Sequence, residues 1–307
     1  MSTDNSIELV IEGRRRDLGG FEVGRVLPWT KRRSVGPFVF FDHMGPKQMA
    51  ANLPRNVDVR PHPHIGLSTI TYLYAGEIVH RDSLGFHQVI RPGEVNWMTA
   101  GRGISHSERF ETMREHGGLL HGIQAWIALP VADEETAPAF VHHAADELPI
   151  ERDGGVSRRV IAGKAFGKSS PVRTHSPIVY VHVELEAGAS TAIADSHGPD
   201  GYSERAAFIA AGTVRVGRES YEAGKMIVFA RDSQPRIVAD TAATVMLLGG
   251  EPLGERHIWW NFVSSRRERI EQAKADWRAG KIALPVGDAD EFIPLPEEPP
   301  PPPEPMS

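Results

Sequence analysis

Two short segments carry residues whose types and spacing could hold a metal ion. In Pro61-His62-Pro63-His64, the alternation of a β-strand sends both imidazoles to one face, with Cα atoms about 6.5–7 Å apart. The flanking prolines cannot donate to a central ladder, so this strand is expected along a rim or an edge, where a site can be reached. A His-x-His pair alone also suits a surface or hydrogen-bonded pair. The second segment, Trp97-Met-Thr-Ala-Gly-Arg-Gly-Ile-Ser-His106-Ser-Glu108, leads from a Gly-rich turn into a His-x-Glu pair with the same spacing. If the two pairs meet inside a barrel, His62, His64, His106 and Glu108 supply three imidazoles and one carboxylate. That set suits Fe, Mn, Co, Ni, Cu or Zn. A six-coordinate ion would keep two positions open for water, substrate or dioxygen.

Other chemistry-bearing stretches are weaker. Gly101-Arg102-Gly103 lacks the longer glycine spacing, the lysine and the strand-to-helix setting of a phosphate cradle. The basic runs Arg14-Arg-Arg16 and Lys31-Arg-Arg33 read as solvated faces, with a protein-binding patch as the second reading. His80, His87, His116, His121, His142 and His143 add no paired spacing to the set, apart from the adjacent last two, and are expected to be exposed or hydrogen-bonded.

Strands must position the two pairs. From Phe21 to Trp126 short apolar or alternating runs recur between Gly, Pro and Asn, as in Phe38-Val-Phe-Phe41 and Leu67-Ser-Thr-Ile-Thr-Tyr-Leu-Tyr74. A second series starts near Ile178 and ends near Leu248. Both predict a sandwich or barrel. The halves read as divergent copies, because Tyr72-Leu-Tyr-Ala-Gly-Glu-Ile-Val-His80 aligns with Phe208-Ile-Ala-Ala-Gly-Thr-Val-Arg-Val216. Counting from the shared glycines puts Gly198 and Asp200 where the first half has His62 and His64, and Ile237 and Ala239 where it has His106 and Glu108. His197 alone cannot build a site, so the chemistry is expected in the first half. The spacing predicts an N-terminal domain over 1–145 and a C-terminal domain over 146–287. The latter includes a helix near 265–280 with a Ser265-to-Glu268 capping box and Gly280 as its stop. Residues 288–307 are rich in proline and are expected to be a mobile tail.

Composition narrows the class. The 307 residues are 40% apolar and 24% charged, enough to bury a sizeable core. The 34 Lys and Arg against 40 Asp and Glu leave a net charge of -6, which disfavours direct nucleic-acid binding. Cysteine is absent, so disulfides, thiolate nucleophiles and thiolate metal sites are excluded. No signal peptide or membrane span is legible, and a cytoplasmic location without membrane contact is expected. Ten of the 14 histidines fall between His43 and His143.

The run ending in Phe38-Val-Phe-Phe-Asp-His43, then His62-Pro-His-Ile-Gly66, then Met98-Thr-Ala-Gly-Arg-Gly103 with His106 and Glu108, and Gly250-Glu-Pro-Leu253, resembles the pirin family of bicupins. The resemblance implies an all-β chain of two jelly-roll cupin barrels with a few short helices and a C-terminal helix. It implies one metal, bound in the first barrel by the residues matching His62, His64, His106 and Glu108. The metal expected is Fe(II), with Mn, Co, Ni, Cu or Zn as alternatives. It implies cleavage of quercetin or a similar flavonol by dioxygen with release of carbon monoxide, Glu108 serving as ligand and base. The alternative it implies is an iron-dependent, redox-sensing regulator that binds transcription factors or metabolic enzymes. A monomer is expected.

Overall fold

The computed structural model describes residues 6–17, 21–195, 201–297 and 305–306. His197, Gly198 and Asp200 lie outside the described residues, as do 298–304 and 307. The chain is mostly β and folds as two cupin-type units. They are not contiguous in sequence: one comprises residues 1–14, 24–43 and 146–252, the other 15–23, 44–145 and 253–307. Strand pairing gives the reason. Ile7–Glu12 is antiparallel to Lys225–Phe229, which draws the N-terminus into the unit built mainly from the second half. The Phe41 ring lies 5.0 Å from that of Phe208 in the same unit.

The unit holding the candidate ligands has one sheet in which Ala139–His143, Val95–Thr99, Leu67–Ala75 and Gly118–Ala128 are neighbours in that order. Its second sheet runs Val59–His64, Ile104–Arg109, Ile78–Asp82, His87–Ile90. The other unit repeats that second sheet as Ser190–Ala192, Arg236–Ala239, Thr213–Val216, Glu219–Glu222. The repeat therefore holds strand by strand, and pairing refines the counting. Ile237 stands opposite Thr191 and Val216, as His106 stands opposite His62 and Asp82. The partner of the Ile237 position is thus Thr191, on a strand ending before the counted Gly198 and Asp200. Ile237, Ala239, Val214, Val216, Ile227 and Val245 belong to one buried apolar cluster. Where the first copy carries polar groups, the second is filled with hydrocarbon.

The helix spans Arg267–Arg278 and buries Ile270, Ala273 and Trp277, the face its periodicity predicted. It belongs to the unit of the candidate ligands, packed with Ile65, Trp259 and Phe262, and not to the C-terminal domain in which sequence order placed it. The capping box does not form. Ser265 gives its hydroxyl to Glu134 at 3.0 Å, and no side chain caps the helix. Gly280 does end it, at φ +67° with its N–H on the Trp277 carbonyl, a conformation that favours glycine. Among the described residues no helix is long and apolar enough to cross a membrane.

Residues 288–297 correct the expectation of a mobile tail. Asp288 accepts from Arg109 at 2.7 Å twice and from Ser107 at 2.6 Å, and the Ile293 N–H donates to the Pro61 carbonyl at 2.8 Å. The Trp277 indole donates to the Ile293 carbonyl at 3.1 Å. A guanidinium withdrawn from solvent needs carboxylates, and this segment supplies two of them to Arg109, Asp288 and Glu291. Burial works to raise the Asp288 pKa, but the hydrogen bonds from Arg109 and Ser107 hold it below the ordinary value. A depressed carboxyl stabilises above its unfolded pKa of about 3.9 and loses that contribution as pH falls through the folded value. Asp288→Asn is expected to cost about 2 kcal/mol at pH 6. The gap to wild type in thermal melts should shrink at pH 3.

Candidate metal centre

Alternation places His62 and His64 on one face of Val59–His64, and His106 opposite His62 in the antiparallel pair. One ring nitrogen of each of the three lies within 4.8 Å of the others, and all three side chains are buried. The neighbouring glycines serve the backbone. The Gly66 N–H bonds to the Gly101 carbonyl at 2.9 Å, and a Cβ on Gly101 would stand 2.1 Å from the Thr136 carbonyl oxygen. That turn brings the two ligand-bearing strands together.

The imidazole tautomers follow from their partners. His62 Nδ1 faces the Arg60 carbonyl at 2.9 Å and His64 Nδ1 faces the Asn261 carbonyl at 3.1 Å. A carbonyl only accepts, so each Nδ1 carries the proton and each Nε2 keeps its lone pair. The Asn261 carbonyl is delivered by a tight turn in which Trp260 sits at φ +52°, an unfavourable conformation for a bulky residue. His106 Nδ1 lies 3.4 Å from His80 Nδ1, leaving its Nε2 directed at His64 Nε2 at 3.2 Å. Burial pushes His62 down to about 4. Burial and the neighbouring rings push His64 and His106 well below the ordinary value. The rings are therefore neutral at neutral pH, and each offers one ring nitrogen to a common point. Neutral buried imidazoles gathered in this way supply lone pairs to a cation, so the donor set fits a borderline divalent metal. His62, His64 and His106 can hold one.

Glu108 is not in that group of close nitrogens. The register shifts between His106 and Glu108, and Glu108 stands opposite Val59 on one side and His80 on the other. It is half-buried, and the Thr71 hydroxyl lies 3.4 Å from its Oε1 and 2.8 Å from Gln124 Oε1. Burial, opposed by the Thr71 hydrogen bond, pushes Glu108 up to about 7. A carboxyl poised there can give or take a proton at neutral pH. Trp126 lies edge-on to His64 at 5.1 Å.

Spacing missed several residues at this site. His80 is buried, stacks on Phe140 at 4.3 Å and reaches Asp82 at 3.0 Å. Its spacing, His-x-Asp on a strand, is the signal that singled out His106 and Glu108. Thr71, Gln124 and Asn261 carried no such signal, because each arrives from elsewhere in the chain. His87 and His116 are exposed, and His142 bonds to Asn96 at 2.8 Å.

The sequence profile described as pirin matches residues 20–127, and that described as the pirin C-terminal cupin domain matches residues 180–283. A pirin-like protein of Caulobacter vibrioides is 59% identical over 95% of this chain and 100% of its own. A Pseudomonas aeruginosa protein provisionally named quercetin 2,3-dioxygenase is 38% identical over 85% of this chain and 80% of its own. The crystal structure of quercetin 2,3-dioxygenase from Acinetobacter baumannii aligns with a TM-score of 0.88 and 30% identity, covering 98% of each chain.

Proposed function

Because the chain belongs to the pirin family, we propose that it is a metal-dependent dioxygenase that opens the ring of quercetin or a similar flavonol and releases carbon monoxide. The observation that carries this reading is the convergence of three neutral imidazoles, with a carboxyl pushed up to about 7 two residues along the strand from one of them. His62, His64 and His106 are the proposed ligands, with Glu108 joining them or standing beside the open positions. A bound divalent ion, Fe(II) in this proposal, would acidify a chelating hydroxyl and make dioxygen reactive toward the ring.

The chain supplies the rest. Glu108 receives the flavonol hydroxyl proton, which is favourable near neutral pH because its buried carboxyl already holds a proton more tightly than an exposed one. The single Thr71 hydroxyl proton is shared between Gln124 Oε1 at 2.8 Å and Glu108 Oε1 at 3.4 Å, which orients the side-chain oxygen that takes the proton. The Trp126 edge walls His64. Quercetin is supported as substrate by the names of the two related proteins.

The test is anaerobic loading with Fe(II), and in parallel with Mn, Co, Ni, Cu and Zn, followed by oxygen uptake with quercetin and a flavonol panel. Uptake with stoichiometric carbon monoxide, dependent on metal and abolished in His62→Ala, is expected. Bound metal with no oxygen uptake on any flavonol would overturn the proposal.

A further inference from the structure

We propose that Asp82 and His80 are positioning residues that fix His106 in the tautomer whose Nε2 lone pair faces the other two imidazoles. The inference rests on the reading of this cluster as a metal centre. It concerns the one ligand whose proton the backbone does not place. His62 and His64 each meet a carbonyl, which can only accept. His106 Nδ1 meets another imidazole, 3.4 Å away, and an imidazole can donate or accept. The direction of that bond is set one residue further out. His80 Nε2 lies 3.0 Å from Asp82 Oδ2, and a carboxylate accepts, so His80 carries its proton on Nε2 and offers its Nδ1 lone pair inward. His106 must then donate through Nδ1 and present Nε2 to His64, 3.2 Å away. A chain of two imidazoles thus transmits the polarity of one buried carboxylate to the ligand atom.

The molecule contains its own control. In the repeated unit the strand pairing sets Ile237 where His106 stands, Val216 where Asp82 stands and Val214 where His80 stands. The copy without the imidazoles also lacks the carboxylate and the relay, and fills all three positions with buried hydrocarbon. Ligand and orienting pair are present together in one copy and absent together in the other.

Asp82 has a second role that the test must separate. Its Oδ1 accepts the N–H groups of Leu84 at 2.9 Å and Phe86 at 3.1 Å, closing the turn after Ile78–Asp82. Asp82→Asn keeps an oxygen for that turn and replaces only the atom facing His80 with a donor. His80 would then accept at Nε2 and donate from Nδ1, so His106 would lose its Nδ1 proton and carry one on Nε2, where no metal can bind. His80→Leu instead removes the relay and leaves His106 free to choose.

Ni(II) titration of the full chain, with circular dichroism to verify folding, reads the consequence. Asp82→Asn is expected to weaken Ni(II) binding by about 10- to 100-fold. His80→Leu should weaken it by less than about tenfold, since only the competent fraction of His106 is reduced. The double variant should match His80→Leu, because Asp82 acts through His80. Long-range ¹⁵N–¹H correlation spectra of the metal-free protein should show the His106 proton on Nδ1 in wild type and on Nε2 in Asp82→Asn, a change that a merely structural role would not produce. The inference fails if the His106 tautomer is the same in both proteins, or if Asp82→Asn costs as much affinity in the His80→Leu background as alone. Absence of Ni(II) binding by wild type would instead overturn the metal-centre reading, and the tautomer measurement would still decide the role of Asp82.

Discussion

Glu108→Gln is expected to lower flavonol turnover by about 10²- to 10⁴-fold, the usual contribution of a positioned general base, while leaving metal bound. Gln has the same shape and keeps an oxygen for the Thr71 hydroxyl, so the Thr71 and Gln124 arrangement should survive. What it lacks is an atom that can take a proton. The side chain lies outside the close group of imidazole nitrogens, so most of the affinity for a metal should remain with His62, His64 and His106. Oxygen uptake under saturating quercetin gives kcat, and elemental analysis of the same sample gives metal content. Full activity in the variant would remove Glu108 as the base. Loss of metal together with activity would assign it to the ligand set.

The second large effect is expected at His64. His64→Ala should weaken Fe(II) and Ni(II) binding by more than about 100-fold, the upper range for losing even a group that only orients a ligand. Stability offers a reading independent of turnover. With metal at about 1,000 times its Kd, binding stabilises the folded wild type by about 4 kcal/mol, and a 100-fold weaker variant retains only about 1.4 kcal/mol of it. Without metal, the variant loses a buried ring and its hydrogen bond to the Asn261 carbonyl, so it should melt somewhat below wild type, and metal should then widen the gap. The sign with pH follows from His62. Its folded value of about 4 lies below the ordinary 6.5, so the unfolded chain takes up a proton that the folded site refuses. Stability is undiminished above about 6.5 and falls as pH drops toward 4. A melting temperature that metal raises equally in wild type and His64→Ala would exclude this ring as a ligand.

Much of the architecture was legible because it depends on local period. Side chains two apart on a strand share a face whatever the strand packs against, so His62 with His64 could be paired from spacing alone. The apolar stripe Ile270, Ala273 and Trp277 declared the helix face for the same reason. The repeat was visible in turn glycines, and it located Ile237 and Ala239 correctly on the strand equivalent to that of His106. The strand opposite Ile237 carries Thr191 at the position of His62, while the counted Gly198 and Asp200 lie outside the described residues; loops between strands change length without changing the strand order, which limits counting of this kind.

Tertiary structure decided the remainder. Ser265 had the spacing of a cap, but a buried glutamate from a distant loop offered its hydroxyl a better acceptor. The N-terminal strand joined the later half, and residues 288–297 docked, because unpaired strand edges and a buried Arg109 needed partners that sequence order does not name. The site shows the division most sharply. Sequence supplied the imidazoles and the face they share. Which nitrogen of His62 and of His64 carries the proton was settled by the Arg60 and Asn261 carbonyls. A hydrogen bond across 197 residues, as between His64 and Asn261, has no periodicity to announce it. Its direction is fixed only when folding brings donor and acceptor together out of water.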